Sequence, residues 1–279
     1  MILFTTYFEP NDKERRNELQ LAINKNLNNN KITKIVILNE KDADLSFLSD
    51  TSKVEVIKTN KRPKFSGFIK EVNARANSNS ISIIANTDIY FGESLIYANE
   101  FLNTKTAIAL SRYDLIDINK LKYYKKWDSQ DAWLFKGKIY GIEGNYFMGE
   151  PGCDNKFAFQ LLSAGYKVID ASLDIVSIHI HNSEFRGYNL YNKDIKIEKP
   201  FLHLSPSKPL IRNNADLSSR CSFWKRILIY RQLKYDFYKL KSFRQDIIFN
   251  IPRKKSFLYK LLYFDYLRIK DRSTYFKME

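Results

Sequence analysis

The chain has 279 residues, 44% of them hydrophobic and 15% aromatic, enough for one substantial core or one core plus an appendage. Its two cysteines, Cys153 and Cys221, are far apart and lack metal-like spacing, which excludes a disulfide framework and fits a reducing cytoplasm. The net charge of +15 is uneven: residues 216–279 hold 16 Lys/Arg against 6 Asp/Glu, a basic tail that calls for an anionic partner such as lipid headgroups, nucleic acid or acidic saccharide.

Met1–Tyr7 is apolar but has neither a basic n-region nor a small-residue cleavage site, so it reads as a first strand and not a signal peptide. Glu9–Asp12 is a turn whose Asn11 or Asp12 can cap a helix. Lys13–Asn28 carries Leu19, Ile23 and Leu27 four apart, an amphipathic helix. Lys34–Leu38 and Val54–Lys58 are β-rich runs. Lys64–Ala76 is a second helix with Phe65, Phe68, Ile69 and Val72 on one face. Ile81–Asn86 is a strand, Glu93–Leu102 a third helix and Thr106–Leu110 another strand. This alternation predicts a three-layer α/β domain around a mostly parallel sheet.

Residues 113–128 are rich in Tyr, Lys and Asp, and read as a loop or short helix over a site. Asp131–Phe135 and Asn145–Met148 are short strands. Asp154–Ala164 is a helix with Gly165 at its C-cap. Lys167–Ile169 and Ile175–Ile180 are strands. Residues 191–215, polar and Pro-containing, are a linker or active-site flap. From 216 onward apolar and basic residues interleave at helical spacing, giving a basic, aromatic helical tail. No apolar run reaches the roughly 18–20 residues of a membrane span.

Several residue groups carry candidate chemistry. Ile83–Ala85 runs into Asn86-Thr87-Asp88, and an acid at the carboxyl end of a buried strand stands where open α/β sheets bind ligands. Asp88 is therefore a candidate holder of a divalent cation, Mn²⁺ or Mg²⁺, under a nucleotide diphosphate. His179 and His181 are two apart on a strand, so both can face one spot, and imidazole suits Mn²⁺ better than Mg²⁺. Asp154, at a loop-to-helix junction, is a candidate general base, with Asp131 in reserve. Ser129, Gln130 and Asp131 enter an aromatic strand and can hold sugar hydroxyls, with Trp133 or Phe135 as a wall. Arg62, Arg112 and Arg186 suit phosphate or carboxylate contact, although Arg112, at a strand end, is expected to pair with Asp131 or Asp88 instead.

Taken in order, Asn86-Thr87-Asp88, Ser129–Phe135, Gly152–Asn155 with its helix ending in Ala164-Gly165-Tyr166, and His179–Ser183 with Arg186 resemble GT-A type, nucleotide-sugar-dependent glycosyltransferases of the bacterial and viral surface-glycan kind. The resemblance covers about residues 1–190. It implies a single Rossmann-like GT-A domain with a mixed, mostly parallel sheet, a nucleotide-sugar donor and usually a metal ion. The family's DxD motif would fall on residues 86–88, where Asn86 replaces its first Asp, leaving Asp88 as ligand and Asn86 near the ribose or donor sugar. Asp154 matches the catalytic Asp or Glu of inverting members, and His179 or His181 the late metal-binding His. By topology, Thr5, Thr6 and Tyr7 would lie near the base, and Arg62 and Asn73 near the nucleotide. The expected reaction moves a sugar to a hydroxyl of a surface glycan, lipooligosaccharide or lipid-linked acceptor, with the tail on the anionic inner face of the cell membrane or packed on the domain. The enzymatic rival is a nucleotidyltransferase of similar topology, but residues 5–12 lack its Gly- and Lys-rich phosphate loop. A non-catalytic membrane- or nucleic-acid-binding module is the other rival; the charge lies away from the motifs, so no nucleic-acid partner is expected.

Overall fold

A computed structural model of the chain describes residues 1–117, 120–124, 129–181, 197–198, 200–217, 221–243 and 275–278. The elements run β1 (Ile2–Tyr7), α1 (Lys13–Leu27), β2 (Lys34–Glu40), β3 (Val54–Thr59), α2 (Phe65–Arg75), β4 (Ile81–Ala85), β5 (Ile89–Phe91), a 3₁₀ turn (Glu93–Tyr97), α3 (Ala98–Phe101), β6 (Thr106–Leu110), β7 (Tyr113–Asp117), β8 (Lys120–Tyr123), β9 (Ala132–Lys136), α4 (Cys153–Ser163), β10 (Lys167–Asp170), β11 (Ser177–His179), β12 (Phe201–Leu204), α5 (Phe223–Phe243) and β13 (Tyr275–Met278).

The central sheet has seven strands in the order β10-β6-β9-β4-β1-β2-β3. All neighbours pair in parallel except β9, which is antiparallel to both β4 and β6. The alternation of side chains divides the core in two. Phe4, Val36, Ile84, Trp133 and Phe135 face α2 and α4, where Phe65, Phe68 and Phe157 meet them. Leu3, Ile35, Ile83, Ile108 and Leu134 face α1 and the Glu93–Phe101 turns, where Leu19, Ile23, Leu27, Leu95 and Ala98 close the other side. A mixed α/β fold with a mostly parallel sheet, as expected from the alternating elements, is therefore present.

Helix ends follow local chemistry. Asp12 caps α1 by accepting from the Arg15 amide at 2.6 Å. α4 closes in a Schellman motif: Gly165, at positive φ, donates to Leu162 O and Tyr166 donates to Leu161 O.

Three sequence expectations change. Tyr113–Asp117 and Lys120–Tyr123 form the antiparallel pair β7–β8 and not a loop or helix, because β7 joins a second sheet, β5-β11-β7-β8, that supplies partners remote in sequence. Asn145–Met148 is no strand; a single bridge from Phe147 to Lys64 is its only pairing among the described residues. The third helix is a 3₁₀ turn with a four-residue α3. Its first amides, Glu93 and Ser94, donate to the Asp216 carboxylate at 3.0 and 2.8 Å. That carboxylate fills the space beside Gly92, so a Cβ there would collide with it. Gly92→Ala is expected to destabilise the fold by about 1–3 kcal/mol, read as a lower urea midpoint with an unchanged slope.

The described part of residues 191–215 packs on the domain. Phe201, Leu202 and Leu204 join the core, and Asn155 donates to Leu202 O at 3.3 Å. The expected boundary at 190 lies outside the described residues. The first turns of α5 also pack inward through Ile229 and Leu233. Arg226, 1% exposed, donates to Asp174 at 2.9 Å and to Leu173 O and Ile211 O at 2.6 Å each. On the opposite face Trp224 and Leu228 are 73% and 62% exposed.

Candidate active site

The carboxyl ends of β1, β4, β6 and β10 form one edge of the sheet. The reversal of β9 brings its entrance, Ser129–Asp131, to the same edge, since Ala132 pairs with Ala85 of β4 and with Leu110 of β6. The second sheet sets the rest. Its register puts His179 opposite both Ile89 and Asp114, and Ile180 donates to Asp88 O at 3.0 Å. Residues scattered over the sequence thus meet in one row.

Asp88 lies in the turn from β4 to β5 and is 8% exposed. Its Oδ2 accepts from Arg15 Nη2 at 2.5 Å and faces His179 Nε2 at 3.3 Å. Its Oδ1 is buried without a hydrogen-bond partner. Burial alone would raise the Asp88 carboxyl, but His179 and Arg15 outweigh it and hold it well below the usual carboxylate range. Burial would likewise lower His179; hydrogen bonds to Asp114, at 3.0 Å, and Asp88 hold the imidazole up at about 9. The rings of His179 and His181 stack with centroids 5.4 Å apart.

Asp88, His179 and His181 each offer one ligand atom, all within 4.8 Å of one another. One carboxylate and two imidazoles are a donor set for Mn²⁺ or a similar divalent ion, and the orphaned Asp88 Oδ1 is an oxygen ready for it. The residues fit such an ion, provided His179 gives up its proton.

The row continues through Arg112, which pairs with Asp114 at 3.0 Å and Asp131 at 2.9 Å, the salt-bridge role expected for it. Asp131 Oδ1 accepts from Asn86 Nδ2 at 2.7 Å. Arg112 also reaches Ser129 Oγ at 3.4 Å. Asp154, in the first turn of α4, accepts from the Gln130 amide at 3.4 Å. Burial, and then the nearby charge of Asp131, push the Asp154 carboxyl up to about 8. At neutral pH such a carboxyl is largely protonated; once ionised it is a stronger base than an ordinary carboxylate.

The other expected site residues are placed differently. Tyr7 is core, packed on Phe47 with its hydroxyl accepting from Gln20 at 3.1 Å, because its strand position points into the α1 layer. Thr5 donates to Ala85 O at 3.0 Å, and Thr6 and Thr87 share a hydroxyl contact at 2.9 Å, so they tie β1 to β4 and to the turn that follows it. Asn73 spends both amide atoms on Ile139, each at 2.7 Å, away from the row. Trp133 is core and not a pocket wall: the alternation of β9 turns it toward Phe157, edge to face. Arg62 donates to Met148 O. Gln130 is buried beside Asp131. Arg186 lies outside the described residues.

Two contributors escaped the sequence reading. Asp114 stands in a segment read as loop. Arg15 was hidden inside a helix, although it precedes Leu19 and Ile23 on the core-facing stripe, where a cation is out of place.

No protein-family model matches the chain, and no curated protein matches it. Among solved structures it is similar to a provisionally named glucose-1-phosphate thymidylyltransferase from Bacillus anthracis in complex with sucrose (12% identity over 61% of this chain and 86% of that one, TM-score 0.39). It is also similar to an inositol-1-phosphate CTP transferase from T. maritima (13%, 64% and 88%, TM-score 0.39). A third likeness is to S. aureus TarS residues 1–349 in complex with UDP-GlcNAc (10%, 66% and 56%, TM-score 0.36). At these identities and scores they assign no family.

Proposed function

We propose that the chain is a glycosyltransferase that moves a sugar from a nucleotide-diphosphate donor to an acceptor hydroxyl by a single inverting displacement. The observation that carries this reading is the unbroken polar row Arg15–Asp88–His179–Asp114–Arg112–Asp131 at the carboxyl edge of the sheet, with Asp154 beside its far end. One end suits a diphosphate and the other a proton acceptor.

Asp88, His179 and His181 would hold the divalent ion, which when bound would offset the charge that gathers on the diphosphate as the glycosidic bond breaks. In its ionised form Asp154 takes the proton of the acceptor hydroxyl as that oxygen attacks the anomeric carbon, and the nucleoside diphosphate leaves. Arg112 fixes Asp131, and Asp131 fixes Asn86 at the donor side. Ser129 and Asn86 would offer polar atoms to the donor-sugar hydroxyls.

The same edge topology serves nucleotidyl transfer, and the products separate the two. Glycosyl transfer consumes a nucleotide sugar and releases a nucleoside diphosphate. Nucleotidyl transfer consumes a nucleoside triphosphate and a sugar phosphate and releases pyrophosphate. Incubation with panels of both substrate sets and Mn²⁺, with mass spectrometry of the products, is expected to yield nucleoside diphosphate from one nucleotide sugar. Pyrophosphate release alone would assign the rival reaction.

Among the described residues no helix is long and apolar enough to cross a membrane. Trp224 and Leu228, one turn apart and exposed beside Lys225 and Arg231, suit shallow docking on an anionic lipid surface on the cytoplasmic side, where a glycolipid acceptor would be met. The Trp224→Ala/Leu228→Ala double variant is expected to lose about tenfold or more in binding to phosphatidylglycerol vesicles, measured by co-sedimentation, with its melting temperature unchanged.

A further inference from the structure

Arg15 lies against two of the residues of the proposed metal site. Its Nη2 holds Asp88 Oδ2 at 2.5 Å, and its Nη1 reaches His181 Nδ1 at 2.8 Å, Ile180 O at 3.3 Å and Glu18 at 3.0 Å. One guanidinium therefore spans two of the three residues that would ligate a divalent ion. An Arg has donors only, so His181 Nδ1 must be the acceptor, and the lone pair that a metal would use there is taken. A divalent ion set between Asp88 and His181 would also sit within a few ångströms of a fixed positive charge, in a partly desolvated place where that repulsion is poorly screened.

We infer that Arg15 is a resident counter-cation of the Asp88 site: it neutralises Asp88 when no donor is present, has to leave for the divalent ion to bind, and then serves as a phosphate ligand. This rests on the metal site of the proposed function. Arg15 is in the first turn of α1, directly after the loop that leaves β1 at the sheet's carboxyl edge, so its long side chain can turn from Asp88 to an anion over that edge. Its planar fork matches phosphate oxygens as well as it matches carboxylate. Glu18, one turn on and buried, can keep hold of Nη1 while Nη2 changes partner and Nη1 releases His181. Metal and phosphate then assist each other, because each removes what excludes the other: the phosphate draws Arg15 away, and the metal frees Arg15 from Asp88. Reciprocity of binding free energies requires the assistance to be equal in both directions.

The test is Mn²⁺ binding to the full chain, monitored by electron paramagnetic resonance of the free ion, with and without excess inorganic phosphate. Wild type, Arg15→Gln, Arg15→Lys and Asp88→Asn are compared, each checked for folding by circular dichroism. Wild type is expected to bind Mn²⁺ weakly alone and more tightly with phosphate. Arg15→Gln is expected to bind Mn²⁺ alone at least about tenfold more tightly than wild type, since one charge-assisted hydrogen bond no longer competes, and to lose the gain from phosphate. Arg15→Lys keeps the charge but cannot span Asp88 and His181, and is expected to fall between the two; it decides the matter should the Gln variant not fold. Affinity in both variants equal to or below wild type would overturn the role of Arg15. Wild-type affinity in Asp88→Asn would instead overturn the metal site itself, a result separate from that of the Arg15 variants.

Discussion

Asp154→Asn is expected to slow sugar transfer by roughly 10²–10⁴-fold, the usual worth of a positioned general base, with donor affinity retained. The same variant is expected to be more stable than wild type at neutral and alkaline pH. The folded-state carboxyl stands at about 8, above its value near 3.8 in an unfolded chain, so the folded state keeps a proton that the unfolded state releases. Stability therefore falls as pH rises from about 4 to about 8, and asparagine removes that slope. Because the residue keeps some contact with solvent, the gain is set low: a melting temperature about 5 °C above wild type at pH 8, shrinking toward pH 4. A variant that loses both activity and stability would point to a capping role for Asp154 in α4 and not to a base.

Arg226→Ala is expected to cost about 3–5 kcal/mol, the largest stability effect foreseen, because it strands a buried carboxylate. Asp174 accepts from Arg226 and from the amides of Leu210 and Ile211, at 2.8 and 3.0 Å. These bonds knot β10's exit, residues 210–212 and the start of α5 into one unit. Burial already pushes the Asp174 carboxyl up against the pull of those partners, so loss of the guanidinium leaves the charge with the amides alone. The double variant Arg226→Met/Asp174→Asn is expected to recover a large part of the loss, since it removes both charges. Equilibrium urea unfolding measures each. A near-neutral Arg226→Ala would mean that α5 is not held to the domain at this point.

The sheet was legible from sequence because its strands are short apolar runs between helices with clean apolar stripes, as at Ile83–Ala85 and Leu19–Ile23–Leu27. The second sheet was not. Tyr113–Asp117 shows no alternation of its own and takes its strand form from His179 and Tyr123, its partners by register. The Glu93–Tyr97 turn resembles a helix start in sequence, but its amides are capped by Asp216 from far down the chain. Of the proposed site, Asp88, His179, His181, Asp131 and Asp154 were legible as candidates because each stands at a strand end or helix start. Tyr7, Asn73 and Trp133 failed as site residues because local position does not reveal which face of the sheet a side chain takes. Arg15 and Asp114 join the row through partners 65 to 166 residues away, a juxtaposition that no local pattern encodes.

Central to the proposed function is that Asp88 serves the diphosphate of a nucleotide sugar. The most direct measurement is nucleoside diphosphate release from the preferred nucleotide sugar, with Mn²⁺ present or chelated, by wild type and by Asp88→Ala. Metal-dependent release by wild type and a fall of about a thousandfold or more in the variant are expected. Full turnover by Asp88→Ala, with or without metal, would contradict the assignment.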